Sequence, residues 1–138
     1  MARSIRELMT DNPRSMESGQ TVMEAARLMR DEDVGIIPVV EGEKLVGMVT
    51  DRDIAVRVVA EGKSPESVTV GEIASRELVT LDPQQDLDEA LRLMARHQVR
   101  RLPVVEEDGT LVGIVAQADV ARNASDAQTG DVVEDISK

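Results

Sequence analysis

The sequence predicts an α+β protein made of two tandem β-α-β-β-α units, and three observations carry that prediction. First, the chain repeats itself. A shift of 65 residues overlays Gln20–Glu41 on Gln85–Glu106, with 11 of 22 positions identical. After one inserted residue the shift becomes 66, and Leu45, Val46, Gly47, Val49, Asp53 and Ala55 meet Leu111, Val112, Gly113, Val115, Asp119 and Ala121. Second, apolar spacing inside each copy changes from the helical period to short extended runs. Third, each copy has only about 60 residues and is marginal alone, so two copies are expected to share one core as a pseudo-two-fold pair.

The elements follow in chain order. Ile5–Thr10 overlays Val70–Ser75, so the repeat reaches back to the start of each unit. Arg14–Ser18 and Leu78–Asp82 read as short leading strands. Thr21 with Glu24 forms a capping box that opens a helix. Val22, Ala25, Ala26 and Met29 then give one apolar face, as do Leu87, Ala90, Leu91 and Met94 in the second copy. Gly35–Val40 and Arg101–Val105 read as buried strands. Pro38 and Pro103 cannot donate to a ladder, which predicts edge-like or non-pairing positions. Turns at Glu41–Lys44 and Glu106–Thr110 lead into strands Leu45–Thr50 and Leu111–Ala116, then helices Asp51–Ala60 and Gln117–Asn123. The repeats are divided as residues 1–64 and 65–123, with a polar, frayed tail over 124–138.

Composition narrows the function. The 138 residues include no Phe, Tyr, Trp or Cys and carry a net charge of −11. The acidic balance argues against nucleic acid and anionic membranes as partners. Without cysteine there are no disulfides or thiolate ligands, and with one histidine a zinc site is not expected. His97 stands at the end of a predicted helix, where a cation suits the dipole. No catalytic constellation and no glycine-rich phosphate loop are present, so no enzyme activity is expected. A carboxylate- and metal-dependent hydrolase is the third-ranked reading, behind two non-enzymatic ones. No apolar run resembles a signal peptide or a membrane span, and the protein is read as cytoplasmic. Met23, Met29, Met48 and Met94 read as core fillers.

The stretch that asks for an explanation is Gly47–Asp53, GMVTDRD, and its near copy Gly113–Asp119, GIVAQAD. Thr50 and Asp53 match the spacing of a helix cap with an acidic residue in the first turn, which requires no ligand. In the second copy Ala116 replaces the threonine, while Asp119 is kept.

These motifs, with IIPVVEGEKLVGMVTDRDI and RLPVVEEDGTLVGIVAQADV, resemble a pair of CBS domains, also called a Bateman module, over Ile5–Arg122. The resemblance implies a sensor of an adenine-containing ligand (AMP, ADP, ATP or S-adenosylmethionine) with no covalent cofactor. Its site would lie in a cleft between the repeats. It implies that Thr50 meets phosphate, that Asp53 accepts from the ribose hydroxyls, and that Ile36 and Ile37 flank the base. Arg100 and Arg101 would meet phosphate from the other repeat. Asp119 would mark a second, degraded site. A homodimer is expected, with faces near Ile54, Val58 and Val120, acting on a regulated protein that the sequence does not identify. The runner-up reading is a ligand-free dimeric CBS-fold interaction protein of stress response.

Overall fold

Thr21 caps the first long helix as its spacing with Glu24 predicts: the Glu24 N–H donates to Thr21 Oγ1 and the Thr21 N–H to Glu24. A computed structural model of the chain describes residues 4–123; the tail at 124–138 lies outside them. In order, the elements are α1 (Ile5–Leu8), β1 (Thr10–Asp11), β2 (Met16–Glu17), α2 (Val22–Glu32), β3 (Ile36–Glu41), β4 (Lys44–Thr50) and α3 (Asp51–Ile54), which runs on into a π-helical turn at Ala55–Val59. Then come α4 (Val70–Ile73), α5 (Leu87–His97), β5 (Arg101–Val105), β6 (Leu111–Ala116) and α6 (Gln117–Asn123).

The described chain forms two compact units. One is Arg14–Leu78; the other joins the chain up to Pro13 to the chain from Val79 onward. This partition differs from the repeat boundaries of the sequence, because each leading segment packs with the body of the other repeat. In the Arg14–Leu78 unit, Val22 N–H donates to Val68 at 2.9 Å and Thr21 bridges Thr69, so α4 is tied to the start of α2. In the other unit, Ile5 N–H donates to Gln85 at 2.7 Å and Ser4 bridges Asp86, so α1 is tied to the start of α5. The short helices α1 and α4 occupy matching positions of the repeat, as the overlay of Ile5–Thr10 on Val70–Ser75 implies.

Each unit holds one three-stranded sheet, ordered β2-β3-β4 in the first and β1-β6-β5 in the second. Strands β3 and β4 are antiparallel, as are β5 and β6, while β2 runs parallel to β3. The strand expected over Leu78–Asp82 reduces to a single parallel bridge, Leu81 with Val104. Both hairpins shift register at the same repeat position, between Val39 and Val40 and between Val104 and Val105.

Pro38 lies on β3, the middle strand of its sheet, so the edge-like expectation is corrected. The non-pairing expectation explains how it is tolerated. Pro38 faces Met48, whose N–H and C=O both bond Ser75 on the far side, so this pair exchanges no hydrogen bond and no donor is missed.

The buried apolar side chains form two clusters, one in each unit, rather than the single shared core expected. The first centres on Val22, Ala25, Met29, Ile37, Val39 and Val49. The second centres on Ile5, Leu87, Ala90, Leu91, Met94 and Leu102. Of the predicted face of α2, Ala26 is exposed. The predicted face of α5 is buried throughout. Both long helices end on a residue in the left-handed region, Asp33 (φ 54°) and Gln98 (φ 52°).

Candidate functional site

Each hairpin delivers its second strand directly into a helix, and the residues at that junction carry the candidate chemistry. In the Arg14–Leu78 unit the junction is a complete capping box. The Asp53 N–H donates to Thr50 Oγ1 at 3.0 Å, and the Thr50 N–H donates to Asp53 Oδ2 at 2.9 Å. The cap reading of Thr50 and Asp53 is therefore realised. It uses one carboxylate oxygen of Asp53. The other, Oδ1, accepts no hydrogen bond among the described residues; its one ionic neighbour is Arg57 Nε at 3.8 Å. The Asp53 side chain is 16% exposed, so this oxygen has limited access to water. Ile36 is the direct cross-strand partner of Thr50, and the two side chains stand on the same face of the sheet.

At the matching junction of the other unit, Ala116 offers no hydroxyl. Half the box survives: the Ala116 N–H donates to Asp119 Oδ2 at 2.8 Å. Asp119 is buried, and Arg122 Nη2 donates to its Oδ1 at 2.5 Å. Arg101 is the cross-strand partner of Ala116, and the carbonyl of Arg100 accepts from the Gln117 N–H at 2.7 Å. Neither Arg100 nor Arg101 has an ion pair among the described residues.

The structure thus gathers Ile36, Thr50 and Asp53 at one turn, and Arg100, Arg101 and Asp119 at its counterpart. Ile37 is separate from both: its side chain is 1% exposed and belongs to the core. A role beside a base falls to Ile36. Sequence reasoning missed Arg57 and Arg122, the cations that face the two aspartates. The signal was present as arginine four residues after Asp53 and three after Asp119, the helical spacings that bring side chains together.

Two motif glycines serve packing. A Cβ on Gly47 would stand 2.9 Å from the Ser75 carbonyl oxygen and 3.0 Å from the Ala74 Cβ. On Gly113 it would run into the Met9 side chain. Each glycine lets a leading segment cross the sheet closely.

The dimer faces expected near Val58 and Val120 are corrected, since Val58 is 0% and Val120 2% exposed, within the cores. Val56 and Val59 are the large apolar side chains of that region left exposed. A surface recess of about 330 Å³ lies along α2, bordered by Arg14, Met16, Gln20, Glu24, Arg27 and Asp31. None of the expected ligand residues lines it. Among the described residues no group of three or more His, Asp or Glu is gathered as for a metal, and no helix is long and apolar enough to cross a membrane.

Two tandem repeats, each presenting an aspartate-bearing turn at a strand–helix junction, define a paired-repeat module. The CBS domain family model matches residues 5–60 and again residues 70–126, and the chain belongs to that family as a CBS pair. It is 45% identical to the CBS domain-containing protein YhcV of Bacillus subtilis over 97% of this chain and 95% of that protein. It is 39% identical to hypoxic response protein 1 of Mycobacterium tuberculosis over 86% of this chain and 82% of the relative. The crystal structure of Hypoxic Response Protein I, with two coordinated zinc ions, superposes with a TM-score of 0.79 at 37% identity, covering 88% of this chain and 99% of the other. Two ligand complexes are also similar. CBSX2 with AMP has a TM-score of 0.75 at 26% identity, over 86% of this chain and 93% of the other. The CBS pair of MJ0100 with 5-methylthioadenosine and S-adenosyl-L-methionine has a TM-score of 0.74 at 28% identity, over 88% and 95%.

Proposed function

We propose that the protein is a cytoplasmic, non-enzymatic regulatory module that binds an adenine-containing nucleotide and passes the binding on through assembly with a second copy or with a regulated protein. The observation that carries this reading is the Asp53 carboxylate. Its cap bond fixes the group in place, and its second oxygen is left with an unfilled acceptor at a partly buried turn. A ribose diol supplies two donors of the kind that oxygen lacks. Ile36 beside Thr50 offers an aliphatic surface for the base, in a chain with no aromatic residue to stack on it. At the counterpart turn, Arg101 and the neighbouring Arg100 offer guanidinium forks, which match phosphate better than an ammonium does. The adenine-containing ligands in the structures of CBSX2 and MJ0100 support the ligand class.

Binding would act by shifting an equilibrium between conformations or assemblies, to the extent that the ligand prefers one of them. The completeness of the Thr50–Asp53 cap favours one other reading, a ligand-free interaction protein in which the turn only starts a helix. Thermal unfolding with AMP, ADP, ATP and S-adenosylmethionine, with and without Mg²⁺, separates the two. A ligand at 100 times its dissociation constant stabilises by about 2.7 kcal/mol, a shift of several degrees. No shift with any of them at millimolar concentration would leave the interaction protein as the better account.

A further inference from the structure

We infer that the acidic segment 124–138 docks on a basic surface of its own chain, where α5 ends and β5 begins, and competes there with phosphate. The docking stands on charge and chain geometry; the competition rests on the nucleotide reading above.

In a chain of net charge −11, residues 90–105 form the longest run without Asp or Glu, and they carry Arg92, Arg96, Arg100 and Arg101 together with His97. Arg92 is taken up by Glu89. The side chains of Arg96, Arg100 and Arg101 have no hydrogen bond or ion pair among the described residues. Arg96 and Arg100 are exposed, and Arg101 is half-buried. Leu93 and Val99 beside them are only partly buried against the core, so the surface has apolar footholds as well.

Residues 124–138 have the complementary character. Four acids, Asp126, Asp131, Glu134 and Asp135, stand against one lysine, Lys138, with Val132, Val133 and Ile136 among them. The segment also begins in the right place. Helix α6 packs on α5, and its first N–H, that of Gln117, donates to the Arg100 carbonyl at 2.7 Å. It ends at Asn123, about 9 Å farther along its axis at about 1.5 Å per residue. The eight residues from Asn123 to Asp131 span up to about 27 Å, so the acids reach back to the arginines without strain. A single exposed ion pair is weak. Here the tether holds the acids at an effective concentration on the order of millimolar, and several pairs form together. Arg100 and Arg101 cannot hold these carboxylates and a phosphate at once. The segment is therefore a built-in competitor whose hold loosens with salt.

The chain has no cysteine, so Ser137→Cys gives one site for a nitroxide spin label on the full-length protein. At low salt the label is expected to broaden the amide NMR signals of Arg96 to Arg101 selectively. The broadening should vanish at 1 M salt, where the Debye length is about 3 Å. It should vanish too in a neutral-tail chain, Asp126→Asn/Asp131→Asn/Glu134→Gln/Asp135→Asn. No broadening at low salt, or broadening that survives in the neutral-tail chain, overturns the docking. Broadening passed from labelled to unlabelled molecules in a mixed sample assigns the segment to a second copy and overturns it as well. AMP calorimetry then reads the competition. The neutral-tail chain should bind AMP about threefold more tightly than wild type at low salt, within the range of exposed ion pairs. A control, Glu43→Gln/Glu61→Gln/Glu66→Gln/Glu77→Gln, removes the same four charges from exposed sites elsewhere and should stay near wild type. Equal affinity in wild type and the neutral-tail chain, or equal tightening in the control, overturns the competition. No binding heat from any chain refutes the nucleotide reading and the competition with it, while the spin label still decides the docking.

Discussion

Replacing Thr50 with alanine converts the first turn into the state that Ala116 already shows. The variant loses the hydroxyl that accepts the Asp53 N–H at 3.0 Å. The reciprocal bond should survive, because at the second turn it persists at 2.8 Å with no hydroxyl present. One cap bond is therefore lost, not two, and the expected destabilisation is about 1 kcal/mol. With a urea dependence of about 2 kcal/mol per molar, the midpoint falls by about 0.5 M. The assay is far-UV circular dichroism, since a chain without Tyr or Trp gives no useful intrinsic fluorescence. Thr50→Ser keeps the hydroxyl and should remain close to wild type. Ala116→Thr restores the missing half of the second box and should raise stability by up to about 1 kcal/mol. A loss above about 2 kcal/mol for Thr50→Ala would mean that the reciprocal bond depends on the hydroxyl. No loss at all would mean that the cap bears no weight in the fold. Either result refutes the use of the second turn as a template for the first.

Other outcomes follow from the same geometry. Gly47→Ala meets backbone at Ser75 and should cost about 1–3 kcal/mol, whereas Gly113→Ala meets the flexible side chain of Met9 and should cost less; the order of the two urea midpoints checks this. Gln98→Gly removes a side chain from the left-handed cap of α5 and should stabilise by up to about 1 kcal/mol, read as a raised Tm. The Thr69 backbone N–H, then its hydroxyl, holds the Glu72 carboxylate below its ordinary value of 4.5. A hydrogen bond from Arg92 holds Glu89 below 4.5 as well. A lowered folded pKa gives stability that is complete above the ordinary value and is lost as pH falls through the folded one. Urea midpoints should therefore decline below about pH 4.5, and less steeply in Glu72→Gln than in wild type. An equal decline would contradict the assignment for Glu72.

Much of this fold is legible in the residues because the chain states each element twice. The capping box at Thr21, the apolar face of α5 and the short continuous apolar runs around Pro38 and Pro103 are local signals, and local structure obeys them. Packing partners are different. Ile5–Leu8 and Val70–Ile73 are too short to show a period, and a near-symmetric repeat does not say which copy receives each leading segment. That choice rests on long-range contacts such as Ile5 with Gln85 and Val22 with Val68. At the turns, threonine and aspartate were legible as a cap or as ligand contacts, since both uses ask for the same atoms. The difference between the turns lies in where two arginines point. Arg57 is drawn to the Ile73 carbonyl of α4, a group remote in sequence, and no spacing rule marks it.

The central claim is that Asp53 serves a ligand in addition to its cap, and Asp53→Asn tests it most directly. The amide oxygen can still accept the Thr50 N–H, so the variant should melt close to wild type. Where the charged acceptor stood, it presents an amide. AMP titrated into both chains by calorimetry should bind wild type and bind Asp53→Asn at least about tenfold more weakly, a loss of about 1.4 kcal/mol. Equal affinity in the two chains, or no binding heat from wild type, would contradict the account and leave the turn as a helix cap alone.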